Sequence, residues 1–432
     1  MKEPWKYIPS LLLWVIFFYF LSERAIFRYE HLGAGVDVGL FENLFYHIIH
    51  TGEAVTSLGL DGNTHHYFAD HFNWFIYPIS ILYYLFPSIE TLLIFQAFVL
   101  SVPILIIPFL GKENTQYFFY PFLYALYLPI YWIQIFDFHP EVLWIPFFFL
   151  FYYFWKQQSK LWYLFFTLSL LVKEEISLVW IVFSLVYRKS YPKETIFIGI
   201  SSSLYFLLSI GILSYFNSSI SSLAPAHLER YRDPWFAITH LHLFPYLILF
   251  LNLPFLFLSF RSPLMFCLIP YLLYSVFSKF EVNKTPFTHH TFVTIPIIFL
   301  SFTQTLETLH SRQKRLFVII SVIVSITLFL LYGPISKSFS FRREYMNPSG
   351  STKDYQILRN LLPNDSIVSN IPQYLANRNE IQLYLPNKKY SANYYIHYQW
   401  EKETSNPVPP MGYTLESTIE NRIHIYKLEK ID

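Results

Sequence analysis

The chain has 432 residues, of which 54% are hydrophobic, 21% aromatic and only 14% charged, whereas about a quarter of the residues of a soluble domain are charged. The net charge of +2 and the absence of a glycine-rich phosphate loop give no indication of a nucleic-acid or nucleotide partner. A single cysteine, Cys267, excludes an intrachain disulfide and a cysteine metal site. This composition indicates an integral membrane protein whose partners include membrane lipids.

Apolar runs recur from residue 7 to residue 333. Because a bilayer core takes about 20 apolar residues per helix, we count about eleven spans. The segment 74–86 is short and contains Pro78, so it suits an interfacial or re-entrant helix. The predicted spans are roughly 7–22, 91–110, 117–136, 141–155, 161–173, 175–187, 195–215, 241–260, 263–278, 291–309 and 315–333.

Lysines and arginines alternate with these spans in a way that predicts the orientation. In membrane proteins, lysine and arginine concentrate in short cytoplasmic loops. This chain follows that rule if its N-terminus is cytoplasmic and the run 7–22 is a retained signal anchor. The long loop 23–73, the turns near residues 139 and 174, and everything after residue 333 then lie outside. Residues 1–333 are the predicted membrane domain.

Residues 334–432 change character and contain no run long enough to span. "TKDYQILRNLL" (352–362) predicts a helix, and "DSIVSNI", "EIQLYL" and "RIHIYKLE" predict strands. The sequence therefore predicts a small extracytoplasmic α/β domain. The fold class as a whole is mainly α, a polytopic helix bundle with amphipathic helices in the first outer loop.

The first polar motif is "AGVDVGLFENLFYHIIHTGE", residues 34–53. Asp37 precedes a stretch that is typical of an amphipathic helix lying on the outer surface. Aspartate before such a run often caps the helix. Asp37 is thus either a helix cap or a functional carboxylate.

The second motif, "THHYFADH", places His65, His66, Asp70 and His71 close together in the same outer loop. Histidine and carboxylate bind zinc, so these four residues are candidates for a divalent metal, although their spacing matches no zinc pattern. Asp70 is alternatively a second carboxylate that positions a substrate or an ion. The sequence establishes no cofactor.

The third motif, "FDFHPE", brings Asp137, His139 and Glu141 between two apolar runs. A charge in the bilayer centre costs roughly 2.5–3.5 kcal/mol or more, so these groups face water or a cavity. Pro140 predicts the start of a span, and the free N–H groups in the first turn of that helix could receive a phosphate. The alternative is an interfacial turn whose charged side chains only keep the helix ends hydrated.

In the fourth motif, "LSLLVKEEISLVW", ionisable residues again lie between two apolar runs; they are Lys173, Glu174 and Glu175. Lys173 either snorkels or pairs with a glutamate, or it serves a substrate. The four motifs all lie on the predicted outer face. Their carboxylates, histidines and lysine suit a reaction on a substrate with an anionic head and a lipid tail.

The four motifs in this order, followed by "IPQYLANRNEIQLYLPN", resemble a bacterial family of predicted membrane proteins of unknown function. The resemblance covers about residues 25 to 400. That family is allied to the GT-C glycosyltransferases, which include the protein O-mannosyltransferases and the lipid A aminoarabinose transferases.

The resemblance implies a GT-C fold in a bacterial inner membrane and transfer of a sugar from a polyprenyl-phosphate donor to an acceptor. Asp37 matches the aspartate of the first-loop motif and would be the general base. Asp137 and His139 stand where a second acidic motif is found, and Lys173 would face the lipid phosphate. Asp70, His71, Glu141 and Glu174 complete the predicted substrate site.

The sequence leaves three other functions as alternatives. Intramembrane ionisable residues and broken helices also suit a proton- or ion-coupled transporter or flippase of a lipid-linked substrate. A member of this family could instead bind a lipid-linked molecule without transferring anything. A receptor-like scaffold that presents the soluble domain accounts for residues 334–432 but does not account for the polar motifs on the outer face.

Overall fold

The computed structural model describes residues 4–59, 64–110, 115–217, 235, 239–278, 281–336, 348, 350–386, 388–400, 403 and 407–429. These residues divide into two compact units, which are described separately. Unit 1 contains residues 1–23, 68–75 and 94–342, and unit 2 contains 24–67, 76–93 and 343–432. The start of the predicted C-terminal domain, 337–347, lies outside the described residues, and its boundary at residue 334 stays a prediction.

The chain is mainly helical, as its composition predicts. The first helices are α1 (Ile8–Glu30), α2 (Val36–Thr51), α3 (Ile76–Leu85), α4 (Ile89–Ser101), α5 (Pro103–Ile106), α6 (Thr115–Ala125), α7 (Leu128–Phe136) and α8 (Trp144–Lys156). They are followed by α9 (Leu161–Leu170), α10 (Ile176–Tyr187), α11 (Pro192–Asn217), α12 (Phe244–Asn252), α13 (Ile269–Phe277), α14 (Thr294–Glu307), α15 (Ser311–Tyr332) and α16 (Thr352–Arg359).

Four helical segments of the described chain are long and apolar enough to cross a membrane: Trp5–Glu30, Ile89–Phe109, Pro192–Asn217 and Ser311–Tyr332. The pair α6 and α7 adds a fifth if its 44° bend lies within one span. Pro129 at the start of α7 accounts for this break, because proline cannot donate to the preceding turn. The remaining predicted spans correspond to shorter helices, so the count of about eleven stays a prediction.

Unit 1 is built around helices that are buried along most of their length. Nearly all of α14 is buried, and α8 is buried along most of its length, as expected of helices in the centre of a bundle. α8 packs on α9, and α10 packs on α11. Their ends carry the polar turns 137–141 and 171–175, and these turns hold the candidate site of unit 1.

Unit 2 contains two sheets. Strands β1 (Val55–Thr56) and β2 (His65–His66) form a short antiparallel hairpin. A five-stranded sheet has the order β4-β3-β5-β7-β6, with β3 (Ile367–Ser369), β4 (Ile381–Leu383), β5 (Tyr394–Tyr398), β6 (Tyr413–Ile419) and β7 (Ile423–Leu428). β3 is parallel to β4 and β5, and the other two pairs are antiparallel. A small sheet region near the C-terminus is therefore confirmed.

The core of this sheet is mostly aromatic. Tyr395, Tyr413 and Tyr426 pack with Val368 and Ala392 on one face. The predicted helix is α16, which Ser351 caps by accepting a hydrogen bond from the Asp354 N–H. The three predicted strands correspond to β3, β4 and β7.

Candidate functional site

In unit 1 the turn before Pro140 has an unusual backbone. Asp137 has a φ of 138°, which L side chains rarely adopt. Gln96 fixes this turn, because its Nε2 donates to the Asp137 carbonyl at 2.9 Å while its Oε1 accepts from the His139 N–H at 2.6 Å. A helical turn then begins at Pro140 with Glu141 in it and leads into α8. Strained backbone of this kind is a feature of functional sites.

His139 stacks on a second histidine that the sequence analysis did not single out. The ring of His289 lies 3.6 Å from that of His139 at an angle of 13°, and His290 follows at 4.0 Å from His289. Burial and the neighbouring His139 lower the pKa of His289. "THHT" before a predicted span is the same kind of signal as "FDFHPE" and could have identified this pair.

Lys173 lies buried between two carboxylates. Its Nζ is 3.6 Å from Glu141 Oε1 and 3.5 Å from Glu175 Oε1, and it faces the ring of Phe292 at 5.8 Å. Glu141 Oε2 is buried without a hydrogen-bond partner among the described residues. One ammonium therefore serves two carboxylates, and one carboxylate oxygen keeps acceptor capacity.

Glu174 points to a different set of partners. Its Oε2 accepts from the Phe72 N–H at 2.9 Å, and its Oε1 lies 3.3 Å from His71 Nδ1. His71 Nε2 lies 3.7 Å from Asp70 Oδ2. Burial and Lys173 act to lower the pKa of His71, but Asp70 and Glu174 more than offset them and raise it. His71 therefore carries its proton to a higher pH than a free histidine.

The structure thus brings together most of the predicted substrate site. Asp70, His71 and Glu174 form one chain of contacts, and Glu141 and Lys173 form a second. Lys173 and Glu174 are adjacent in sequence, so the two sets of side-chain contacts are joined through the backbone. Asp137 and His139 lie in the turn that leads to Glu141. The group that includes Glu141, Lys173, Glu175 and the His71–Glu174 pair is called the Lys173 cluster below.

Asp37 belongs to unit 2, where it lies in the first turn of α2. The N-cap position is occupied by Gly35, with no side-chain cap hydrogen bond, so Asp37 is not the cap. Its side chain is half-buried. A carboxylate in the first helical turn is stabilised by the helix dipole.

The backbone just before Asp37 is held by a distant segment of unit 2. The Ala34 N–H donates to Tyr374 Oη at 2.8 Å, and Gln373 Nε2 donates to the Ala34 carbonyl at 2.9 Å. A Cβ atom added to Gly39 would lie 2.5 Å from the Cα of Gln373. The loop and the start of α2 are therefore in close contact with residues 373–374.

A second buried acid in α2 has a full set of partners. Arg359 donates to both oxygens of Glu42 at 2.6 Å, and Tyr83 Oη donates to Oε1 at 3.3 Å. Glu42 is completely buried. Its neighbour Asn43 donates to the carbonyls of Ala376 and Arg378. We call Glu42, Arg359 and Tyr83 the Glu42 cluster.

The four metal candidates divide between the units. His65 and His66 form strand β2 in unit 2, whereas Asp70 and His71 belong to unit 1. Across the described ranges, no group of three or more histidine, cysteine, aspartate or glutamate residues is arranged to hold a metal ion. The metal site stays a prediction from sequence.

Comparison with known proteins gives a family and no assigned activity. No curated protein matches the chain significantly, and no solved structure does so either. The family described as "Predicted membrane protein (DUF2079)" matches residues 28–407, a stretch that includes every predicted site residue. The chain therefore belongs to this family of membrane proteins of unknown function.

Proposed function

We propose that this protein is an inverting GT-C glycosyltransferase of a bacterial inner membrane, which moves a sugar from a polyprenyl-phosphate donor to an acceptor on the outer face. The proposal keeps the N-terminus cytoplasmic, counts about eleven spans over residues 1–333, and treats 334–432 as an extracytoplasmic α/β domain. The acceptor is a glycan, a lipid or a protein.

The placement of Asp37 carries the proposal. The carboxylate lies in the first turn of α2, which follows the first apolar helix after only a short connection. Hydrogen bonds with residues 373 and 374 fix Ala34, three residues before it. A general base needs such a fixed position, because its reach to the proton is about 2.6–3.2 Å. Asp37 would take the proton of the acceptor hydroxyl as that oxygen attacks the sugar.

The Lys173 cluster would receive the leaving phosphate. Lys173 already has two carboxylate partners, so an incoming phosphate has to replace one of them. Glu175 is the one that leaves, because its side chain is 31% exposed whereas that of Glu141 is 3% exposed. Glu141 would stay to orient the ammonium. The helix end at Pro140 adds N–H groups that favour an anion.

The test is a transfer assay with purified full-length protein in liposomes. The substrates are polyprenyl-phosphate-linked hexoses with a radiolabelled sugar and a bacterial membrane extract that supplies the acceptor, and the measurement is the label that moves from the lipid donor to the acceptor. Asp37→Asn should lower the rate by about 10²-fold or more, in the range of general-base catalysis. Glu53→Gln, an exposed acid after the same helix, should keep the wild-type rate. Equal rates for Asp37→Asn and wild type would refute the role of Asp37.

A second candidate function is supported by the buried titratable groups of unit 1. The His71–Glu174 pair, Glu141 and the His139–His289 stack suit a proton- or ion-coupled transporter or flippase of a lipid-linked substrate. Liposomes loaded with a pH-sensitive dye separate the two functions, since a transferase gives no flux when a pH gradient is applied. A protein that binds the donor lipid but shows neither flux nor transfer would be a non-catalytic member of the family.

A further inference from the structure

A cavity in unit 1 lies at the ends of three helices, away from every predicted site residue. It has a volume of about 290 Å³ and is lined by residues from the last turns of α8, α10 and α14. Five of its lining residues are aromatic, among them Trp155 and Tyr191, whose rings meet edge to face at 4.9 Å. A volume near 300 Å³ is that of a small ligand pocket.

Polar groups converge at the floor of this cavity. Gln304 Nε2 donates to Tyr152 Oη at 2.9 Å and to Tyr187 Oη at 3.4 Å. Ser262 Oγ holds the other end of the amide by donating to Gln304 Oε1 at 2.5 Å. Because each phenol oxygen accepts from Gln304, each keeps its own O–H to donate to a ligand.

The rim carries one charge of each sign. Lys156 faces the ring of Tyr152 at 5.7 Å, and Glu307 lines the cavity from the end of α14. Two phenol donors beside an ammonium suit a phosphate. Aromatic faces beside a carboxylate suit an organic ammonium ion. The cavity therefore offers complementary groups for both ends of a zwitterion.

We propose that this cavity binds the headgroup of a zwitterionic phospholipid, with its phosphate at Tyr152, Tyr187 and Lys156 and its ammonium at Glu307 and the aromatic rings. In the proposed topology these helix ends face the cytoplasm, where tyrosine and tryptophan are enriched at the membrane interface. The site is independent of the proposed transferase chemistry, because it contains none of the residues assigned to that reaction.

Native mass spectrometry of the delipidated full-length protein in detergent tests this proposal. The probes are phosphatidylethanolamine, phosphatidylcholine and the anionic phosphatidylglycerol, all with the same acyl chains. We expect the two zwitterionic lipids to bind about fivefold more tightly than phosphatidylglycerol, the size expected of one exposed ion pair. Equal binding of all three lipids would overturn the proposal.

Variants assign the binding to the cavity. Glu307→Gln should abolish the preference for zwitterionic lipids. Lys156→Gln and Tyr187→Phe should weaken the binding of all three lipids. Lys160→Gln and Glu194→Gln are the matched controls, since neither residue lines the cavity, and both should bind as wild type. Tyr187→Phe removes a single oxygen atom and decides the outcome if a charge variant fails to fold. Unchanged preference in Glu307→Gln, or the same loss in the controls, would refute the assignment.

Discussion

The Glu42 cluster of unit 2 and the Lys173 cluster of unit 1 both bury acids next to a base, but they balance charge differently. Glu42 meets one guanidinium with two parallel hydrogen bonds of 2.6 Å. Lys173 is shared by two carboxylates at 3.5 and 3.6 Å, and one oxygen of Glu141 has no hydrogen bond within the described chain. The first arrangement is saturated, as structural ion pairs are, whereas the second leaves capacity for a further partner.

The largest expected loss of stability follows from removing Arg359 from its ion pair with Glu42. Arg359→Ala would leave Glu42 buried and without a cation, which costs about 3–5 kcal/mol. Thermal unfolding of the protein in detergent should show a large drop in Tm. Lys353→Ala is the control, because the side chains of its ion pair, Lys353 and Glu420, are 67% and 46% exposed, and its Tm should change little. A small effect of Arg359→Ala would mean that the two clusters do not differ as described.

Lys173→Met tests the unsaturated cluster. We expect a loss of stability of about 3 kcal/mol, at the lower end for a buried acid left without its cation, because Glu141 stays buried while Glu175 can turn towards solvent. Binding of a polyprenyl-phosphate sugar should fall by about tenfold, the size of one charge-assisted contact. Donor binding at the wild-type level would contradict the assignment of the phosphate to Lys173, even if the Tm falls.

The clusters could be predicted from the sequence to different degrees. Glu141, Lys173 and Glu174 stand out as ionisable residues between apolar runs, so the cost of burying charge was enough to find them. Glu42 and Arg359 are separated by 317 positions and each lies on an amphipathic helix, where a charge ordinarily faces solvent. No local pattern marks them as partners. Gln96 was missed for the same reason, because its hydrogen-bond partners lie 41 and 43 positions away.

The fold shows a similar division. The turns near residues 139 and 174 were predicted because proline and charge interrupt apolar runs, and α8, α9 and α10 lie beside them. Strands β5 and β6 were not predicted. "YYIHY" has no alternation of apolar and polar residues, so a hydrophobic period of two is absent from β5. In β6, Tyr413, Leu415 and Ile419 do alternate with polar residues, but the strand is largely exposed, so this pattern does not reflect a buried face. β5 is defined by its pairing with β3 and β7, which are distant in sequence, whereas β6 pairs with β7 across the turn at residues 420–422.

Gly39→Ala probes the contact that positions the Asp37 loop. The added Cβ would meet the backbone of Gln373 at 2.5 Å, so α2 has to shift, at a cost of about 1.5 kcal/mol. Transfer activity should fall as well, because Asp37 lies on the same helical turn. Gly211→Ala is the control, since nothing lies within 4 Å of its added Cβ. Unchanged Tm and activity in Gly39→Ala would show that this contact does not position the loop.

The smallest expected effect concerns His71. Because its folded pKa is raised, its protonated form stabilises the native state below the ordinary histidine pKa, and this contribution is lost as pH rises through the folded value. His71→Gln should therefore reduce stability by less than about 1 kcal/mol at pH 6, and by still less at pH 9. Denaturant melts at both pH values give the difference, and the exposed His50→Gln is the control. A larger loss at pH 9 would refute the charge assignment.

The hydrogen bond between Ala34 and Tyr374 joins residues 340 positions apart, which has a consequence for biogenesis. At about 5–20 residues per second, synthesis of the intervening chain takes roughly 20 to 70 s. The loop that carries Asp37 therefore emerges long before the segment that fixes it, and α2 exposes its buried face during that time. Truncation before residue 373 would leave the loop without its hydrogen-bond partners, so the site is among the last parts of the protein to form.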